Sequence, residues 1–399
     1  MEFFHNPNID FLSKKWFFLA LSLVLSVAGV LSMLFWHHIP LGLDFRGGTQ
    51  VEIKFTTAPN ADQIRRLMDS AGLKDARIQP YGPVDRHEVL ISLDLKETSE
   101  QALDRGKDKI IRALETNAPA DKKDLNNTGY PSLKQFLMDK DPLRAGTNAD
   151  QQYGDLAQAI VDYRDKKLEG VLNSVSDVSP VAPPAVVQAL QSAYYTSDFG
   201  VRSVQIVGPQ VGSQLRRQAI LATLYSLGGM LVYLWFRFEL IYGVAAVVAC
   251  FHDTIITVGM FSILNTEISL TVIAAILTLI GYSMNDTIVV FDRIRENLKL
   301  LRREKLVDLV NLSINQTLSR TVLTSGLTFL TVLSLFVFGG EVLHGFSLAL
   351  VIGIVIGTYS SIFIAAPMLV AYQDWRSKKG GNAAATLPAA RGNKAKAKA

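Results

Sequence analysis

The chain has 399 residues, of which 49% are hydrophobic and only 19% are charged, and its formal net charge is +4. The apolar residues are concentrated in long runs, a pattern typical of membrane proteins and not of a large soluble core. The modest positive charge gives no indication of nucleic-acid binding, and the single cysteine, Cys250, excludes an intrachain disulfide.

Six apolar runs are long enough to cross the roughly 30 Å hydrocarbon layer of a bilayer. They are Trp16–Trp36, Ala219–Phe236, Leu240–Leu264, Ile268–Phe291, Thr321–Phe338 and Phe346–Tyr372. A cleaved secretory signal is an alternative for the first run, because Lys14 and Lys15 precede it. Its length and its end at Trp36-His37-His38 favour an uncleaved anchor. The sequence therefore predicts a polytopic α-helical membrane protein with six transmembrane helices.

Lysine and arginine in the short loops predict the orientation, since basic residues stay on the cytoplasmic side during insertion. The loop 292–319 is rich in both, whereas the loops 264–268 and 339–345 contain neither. We therefore expect a bacterial inner-membrane protein with both termini in the cytoplasm. The predicted order is N-terminus (1–15), first span (16–36), periplasmic domain (37–217), spans two to six (218–372) and basic tail (373–399).

The periplasmic segment carries alternating strand and helix patterns. A strand near 49–55 precedes a helix near 61–71, strands near 77–81 and 88–95, a helix near 99–114 and a closing strand at 201–207. This order predicts a ferredoxin-like α+β domain. An insertion at about 117–199 interrupts it, with helices expected at 149–167 and 185–194. Its polar composition predicts a surface-exposed appendage of unassigned fold.

Charged side chains inside a span cost at least about 2.5–3.5 kcal/mol at mid-bilayer, so each one needs a partner or a task. Asp253, Asp286 and Arg320 are the prominent cases in the predicted spans. Because the fourth and fifth spans run in opposite directions, Asp286 and Arg320 are expected to face each other as an ion pair. Two polar helix faces accompany them, Thr271, Thr278, Tyr282 and Asp286 on the fourth span and Thr317, Thr321, Thr324, Thr328 and Thr331 on the fifth.

Several interpretations of these residues remain open. Asp286 is either a carboxylate that alternately binds and releases a proton, with Arg320 tuning its pKa and nearby hydroxyls relaying protons, or half of a static ion pair. Arg320 snorkelling to lipid headgroups is a third interpretation. For Asp253, near the middle of the third span, a relay role and a protonated side chain hydrogen-bonded to a neighbouring helix are equally open.

Other chemistry is not indicated. His252 is expected to point elsewhere on the helix than Asp253, so no metal pair is predicted, and no other zinc spacing occurs. The sequence has no phosphate-binding Gly-Lys-Ser/Thr loop and no paired nucleophile and base. We therefore expect a transport subunit with no catalytic residues, no metal and no cofactor, driven by an ion gradient or by a partner.

Six motifs resemble the SecD/SecF family of the bacterial Sec export system, within the superfamily of proton-driven resistance, nodulation and division transporters. They are GLDFRGGT at 42–49, VGPQVG at 207–212, FRFE at 236–239, HDTIIT at 252–257, IGYSMNDTIVVFDRIREN at 280–297 and SINQTLSRTVLTSG at 313–326. The resemblance covers the chain from about Leu41 to Gln373 except the insertion. The insertion departs from the compact periplasmic domain that the family usually has.

The resemblance implies a proton relay and a set of partners. Asp286, in the Asn285-Asp286 pair, is the implied proton carrier and Arg320 its partner. The polar residues of the spans themselves add Asp253, Asn285 and Thr324 as further relay candidates. The implied partners are SecD, the SecY-SecE-SecG channel, YajC, a translocating preprotein in the periplasm and membrane lipids.

Two glycine-rich linkers are predicted to be hinges about which the periplasmic domain swings. The hinge residues are Asp44, Arg46, Gly47, Gly48, Gly208, Pro209 and Gly212. A simple turn entering a strand is the alternative for the first linker.

Two other functions compete with an export subunit that uses the proton gradient. The first is half of a proton-driven efflux or lipid transporter of the same superfamily. The second is a non-conducting scaffold of the translocation channel, for which neutralising Asp286 leaves export intact.

Overall fold

The computed structural model describes residues 7–94, 100–116, 118–119, 121–238, 240–301 and 303–379. The predicted features that lie outside this range are residues 1–6 of the N-terminus, Leu95 at a strand end, Ser99 at a helix start, Asn117 at the start of the insertion, Glu239, Arg302 and the tail 380–399. The chain divides into a helical unit, Met1–Pro40 with Ala219–Ala399, and an α+β domain, Leu41–Gln218. This division falls close to the predicted boundaries at 37 and 217.

Helices and short strands succeed one another along the described residues. In chain order they are α1 (Lys15–Leu31), α2 (Leu43–Arg46), β1 (Gly48–Phe55), α3 (Ala61–Ser70), β2 (Arg77–Tyr81), β3 (Glu88–Leu93), α4 (Glu100–Leu114), β4 (Lys123–Asp124), α5 (Tyr130–Lys140), α6 (Ala149–Asp162), α7 (Pro184–Ala193), β5 (Tyr194–Tyr195), β6 (Phe199–Val207), α8 (Pro209–Arg237), α9 (Leu240–Ile263), α10 (Leu270–Leu300), α11 (Leu306–Phe338), α12 (Gly340–Ser360) and α13 (Ala366–Lys379). One-turn π-helical segments follow α1 at Ser32–Trp36, α6 at Tyr163–Lys167 and α12 at Ser361–Ala365.

Six helical segments of the described chain are long and apolar enough to cross a membrane, which confirms the six predicted runs. The helices are longer than the apolar runs, because charged ends continue them. Much of the predicted loop 292–319 is helical, since α10 extends to Leu300 and α11 begins at Leu306. Half of the apolar stretch of α9 and of α10 is buried within the chain, against only 6% for α8.

Small residues let the central helices approach closely. A Cβ added at Gly357 of α12 would lie 2.9 Å from the Ser283 Cβ of α10, and one at Gly353 would lie 2.5 Å from Leu279. Gly29 and Gly259 make the same kind of contact between α1 and α9. These glycines therefore serve helix packing, as small residues spaced four apart do in membrane proteins.

The α+β domain is built on a four-stranded sheet, counted over the described residues, with the strand order β2-β3-β1-β6. Its strand pairs are all antiparallel, and Val51 of β1 lies opposite Ile91 of β3 and Val204 of β6. With α3 and α4 packed through Ile64, Met68 and Ile110, this is the predicted ferredoxin-like fold. The alternating residues Val51 and Ile53 are fully buried, as a half-buried strand requires.

The insertion is a folded subdomain with its own core, and this supplies the fold that the sequence left unassigned. The expected helices are present as α6 with its π-helical end and as α7. Helix α5 is an additional element that the sequence patterns do not indicate, although Pro131 sits in its first turn and Asp141 ends it with a φ of 42°. The buried core residues include Leu133, Leu137, Tyr153, Ile160, Leu172 and Leu190.

Candidate functional site

The Asp286 carboxylate is buried, 3% exposed, where α10 packs against α11. Its Oδ2 accepts a hydrogen bond from the Ser325 hydroxyl at 2.7 Å. Asn285, the preceding residue, is exposed. Burial of a carboxylate with one hydroxyl partner leaves the group able to exist in either protonation state, because a serine hydroxyl both donates and accepts.

Asp286 and Arg320 make no direct contact, although the guanidinium lies near enough to act on the carboxylate electrostatically. Arg320 is exposed, and no ion pair within 4 Å joins it to Asp286 in the part of the chain that the structure describes. Ser325 is five residues further along α11, which places it about 140° around the helix from Arg320. The rotation of α11 thus presents a neutral hydroxyl to the carboxylate in place of the guanidinium.

The buried polar face of each helix also differs from the predicted one. On α11 the buried hydroxyls are Ser313, Thr317, Thr321 and Ser325, spaced four apart, whereas Thr331 is exposed and Thr324 is half-buried, bonded to backbone carbonyls of its own helix. On α10 the buried polar residues are Ser283, Asp286, Thr287 and Asn297, while Thr271 and Thr278 are exposed. Two buried hydroxyls near this interface, Tyr282 and Thr321, have no hydrogen-bond partner among the described residues.

Asp253 is the centre of a second buried cluster, and its exposed fraction is 0%. Its Oδ2 accepts hydrogen bonds from Ser283 of α10 at 2.6 Å and from Ser360 of α12 at 2.7 Å. Its Oδ1 lies 3.0 Å from Nδ1 of His252. Every oxygen of this carboxylate therefore has a side-chain partner, and the partners come from three helices.

The expectation that His252 points away from Asp253 is wrong. Nδ1 of the His252 ring contacts the Asp253 carboxylate, and Nε2 contacts the Ser22 hydroxyl of α1. Adjacent residues on a helix lie about 100° apart, but these two side chains turn toward each other, and their other partners come from α1, α10 and α12. In the described residues no group of three or more His, Cys, Asp or Glu side chains could hold a metal ion.

The π-helical turn after α12 begins beside this cluster. Ser360 bonds Asp253, and Ser361 lies 2.9 Å from the Thr287 hydroxyl, the residue after Asp286. A π-helical turn shifts the register of the side chains that follow it, and such turns are frequent at functional sites. Two consecutive serines of one helix thereby contact the surroundings of both buried carboxylates.

The two predicted hinge segments pack against each other within the α+β domain. Gly47 has a φ of +74°, and a Cβ there would lie 2.8 Å from the Pro209 Cα. A Cβ at Gly212 would lie 3.0 Å from the Gly47 nitrogen, whereas Gly208 faces open space. Close packing, in addition to the predicted backbone flexibility, thus explains glycine at positions 47 and 212.

Two charged residues accompany these glycines. Arg46 pairs with Asp94 at 3.7 Å, and Asp44 lies in the first turn of α2. The hinge role of the whole segment stays a prediction.

Comparison with known proteins places the chain in a family. The family described as "Protein export membrane protein SecD/SecF, C-terminal" matches residues 186–375, and the "SecD/SecF GG Motif" matches residues 37–59. The chain is 67% identical to the protein translocase subunit SecF of Koribacter versatilis, over 98% of both chains. This chain belongs to the SecD/SecF family. The insertion is not peculiar to it, since that alignment leaves only 2% of the chain uncovered.

More distant members of the SecD/SecF family agree. The subunit SecF of Calditerrivibrio nitroreducens is 36% identical over 94% of this chain and 97% of its own length. The crystal structure of SecDF, a translocon-associated membrane protein from Thermus thermophilus, matches at 31% identity with a TM-score of 0.64. This match covers 92% of the present chain and 39% of that longer chain.

Proposed function

We propose that this chain is the SecF-type subunit of the protein export machinery and that it uses the proton gradient, beside a SecD-type partner, to promote protein translocation across the inner membrane. Membership of the SecD/SecF family supports the export function. The proton coupling is supported by the buried Asp286. The chain acts as a transport component and not as an enzyme.

The observation that carries the proposal is a carboxylate 3% exposed inside a segment that spans the membrane. An ionised carboxylate at this place is costly, and binding one proton removes that cost without any change of covalent structure. Ser325 donates to the ionised form and can accept from the protonated form, so one hydroxyl serves both states. The unpartnered Thr321 hydroxyl, one turn away on α11, offers a next position for a water or a proton.

Arg320 has an indirect role in this proposal. Its exposed guanidinium makes no ion pair with Asp286 in this state, but it lies near enough to act on the carboxylate electrostatically. We infer that protonation of Asp286 shifts the packing of α10 against α11, and that the ionised state recruits Arg320. Asn285 and Thr324 are then neighbours of the moving pair and not carriers themselves.

The wider arrangement completes the proposal. Both termini lie in the cytoplasm and the α+β domain lies in the periplasm, where it meets the translocating preprotein. The SecY-SecE-SecG channel, YajC and membrane lipids are the remaining partners, and the proton gradient is the energy source. Motion of the domain about Gly42–Thr49 and Val207–Gly212 links the proton state to the polypeptide.

Asp286→Asn tests the relay directly. An amide keeps the size of the side chain and can still accept from Ser325, but it cannot exchange a proton. We expect proton-gradient stimulation of export to be lost in vesicles, while insertion and assembly with the SecD-type partner continue. Asp292→Asn is the matched control, because Asp292 lies on the same helix with its side chain 58% exposed.

The scaffold hypothesis predicts the opposite result. If Asp286→Asn supports gradient-driven export at the level of the unchanged protein, Asp286 is not the proton carrier. Equal losses in Asp286→Asn and Asp292→Asn would instead indicate that charge on α10 matters for assembly. Quantifying the subunit in purified complexes separates that outcome from a loss of coupling.

A further inference from the structure

We propose that His252, held by Asp253, is a second proton-binding site of the helical unit, and that it exchanges its proton through Ser22 of the first helix. The site consists of Ser22, His252, Asp253, Ser283 and Ser360 and is called the His252 cluster below. It is separate from the interface of α10 and α11, where Asp286 lies. Its part in export rests on the proposed function, whereas proton binding itself does not.

The hydrogen bonds fix where protons can reside in the His252 cluster. Oδ2 of Asp253 accepts from two serine hydroxyls, at 2.6 and 2.7 Å, which is the pattern of an ionised carboxylate. Oδ1 faces Nδ1 of His252 at 3.0 Å, so one proton lies on Nδ1 and points at Oδ1. The carboxylate therefore sets the tautomer, and the second ring nitrogen, Nε2, is the atom free to bind or release a proton.

Ser22 suits both states of that nitrogen. When Nε2 carries a proton, it donates to the Ser22 oxygen, and the imidazolium and carboxylate together are neutral. When the proton leaves, Ser22 turns and donates to Nε2, and the pair carries one negative charge. In this step the Nε2 proton passes to Ser22 Oγ as the Ser22 hydroxyl proton passes to a water molecule, so one N–H bond breaks and one hydronium ion forms. The His252 side chain is 15% exposed, against 1% for Asp253, so the imidazole is the more accessible member of the pair.

His252 is the group in the cluster that can carry the positive charge opposite Asp253. No lysine or arginine of the described residues pairs with Asp253, whose ion-pair partner is His252. The other titratable groups facing the pair are the Cys250 thiol of α9 and the Tyr359 phenol of α12, and neither supplies positive charge. From α1 and α10 the cluster receives only the hydroxyls of Ser22 and Ser283. Protonated His252 is therefore what neutralises the buried carboxylate.

The His252 cluster is also placed to sense Asp286. Ser283 lies one turn before Asp286 on α10, and Ser360 precedes Ser361, which contacts Thr287. When His252 loses its proton, the negative charge of Asp253 is no longer neutralised, so its hydrogen bonds to Ser283 and Ser360 become stronger. The stronger bonds draw α10 and the π-helical turn closer to Asp253. Two proton sites, His252 on α9 and Asp286 on α10, are thereby connected through α10 and can be filled in a fixed order.

The test measures the imidazole itself in the full chain reconstituted into lipid bilayers. Solid-state NMR of ¹⁵N-histidine protein, with the His252 signals assigned by their loss in His252→Gln, is recorded from pH 5 to pH 9. We expect Nε2 of His252 to change between protonated and neutral shifts within this range while Nδ1 stays protonated. In Asp253→Asn the midpoint is expected to fall by at least about one pH unit, since the charge that favours the imidazolium is gone.

Ser22→Ala is a milder variant that does not remove a charge, and we expect it to move the midpoint while leaving Nδ1 protonated. An Nε2 that keeps one shift from pH 5 to pH 9, or a midpoint unmoved in Asp253→Asn and in Ser22→Ala, overturns the proposal.

Vesicle export gives the functional readout, in which we expect His252→Gln to lose about tenfold or more of the gradient-driven rate. His344→Gln is the matched control, since His344 stacks on Phe336 away from the cluster. If Nε2 titrates in the unchanged protein but His252→Gln exports at the full rate, His252 is a proton-binding site without a role in coupling. Failure of Asp286→Asn to affect export would overturn the proposed function while the NMR titration still decides the site.

Discussion

At the scale of single residues, the partner of a buried carboxylate decides what the carboxylate can do. Asp286 is bonded to one neutral hydroxyl, whereas Asp253 has two serine donors and an imidazole. A carboxylate with several donors is held in its ionised form, and one with a single reversible donor is not. From this difference we propose that Asp286 exchanges protons at one site and that His252, not Asp253, does so at the other.

Ser325→Ala tests the importance of that single donor. The change leaves the Asp286 carboxylate without the hydrogen bond that it makes in this structure, a loss of about 1–3 kcal/mol for the ionised form. We expect gradient-driven export to fall several-fold without being abolished, measured in the same vesicle assay. Thr331→Ala is the control on α11, because Thr331 is exposed and bonds only its own helix.

A Ser325→Ala protein that exports at the unchanged rate would mean that water replaces the hydroxyl without cost. The direct partner seen in this structure would then be incidental, and Arg320 would again be the first residue to test as the partner of Asp286.

At the scale of elements, the junction between β1 and α8 depends on glycine at particular positions. Gly48 has a φ of +139°, and a Cβ there would lie 2.1 Å from the Leu93 carbonyl oxygen. The contact lies at the start of β1, where β1 pairs with both β3 and β6. Glycine is required at this position because the strands approach more closely than any side chain permits.

Gly48→Ala should therefore destabilise the α+β domain, by more than about 3 kcal/mol, since both backbone strain and a clash with backbone follow. The expected result is faster hydrogen exchange of the β1 and β3 amides in the full-length protein. Gly208→Ala provides the comparison at the same junction. A Cβ at Gly208 meets nothing within 4 Å, so exchange should stay near that of the unchanged protein.

Equal exchange rates in the two variants would contradict the packing argument. A normal exchange rate for Gly208→Ala combined with reduced export would favour the hinge hypothesis, because backbone freedom at Gly208 would then matter for motion and not for stability.

At the scale of the whole molecule, the distribution of charge predicts which side each unit faces. The segment between α10 and α11 is basic, while the short turns at the opposite ends of the spans carry no lysine or arginine. The predicted orientation places the insertion, with its α5 helix, in the periplasm and the α10–α11 connection in the cytoplasm.

Cysteine labelling tests this orientation in a Cys250→Ala background, since Cys250 is buried and its replacement by a small residue is mild. Ser132→Cys on α5 and Glu304→Cys before α11 both provide exposed positions. A membrane-impermeant maleimide should label Ser132→Cys in intact spheroplasts and Glu304→Cys only after lysis. The reverse pattern would invert the topology and remove the periplasmic role of the α+β domain.

Much of this protein was determined by the sequence alone. Apolar length predicted the six spans, because a bilayer has a fixed thickness, and strand and helix periodicity predicted the ferredoxin-like order. The buried position of Asp286 also followed from sequence, since an acidic residue within a span is rare enough to mark a site. These features depend on local patterns that one chain segment carries by itself.

The tertiary structure decided which side chains meet. The rotation of α11 decides that Ser325, and not Arg320, contacts Asp286. The His252 cluster depends on the close approach of four helices, which Gly357 and Gly259 allow. The core of the insertion likewise joins residues from Leu125 to Tyr194. Periodicity gives the face of a helix but not its rotation against a neighbour, because that rotation is set by packing between segments far apart in the chain.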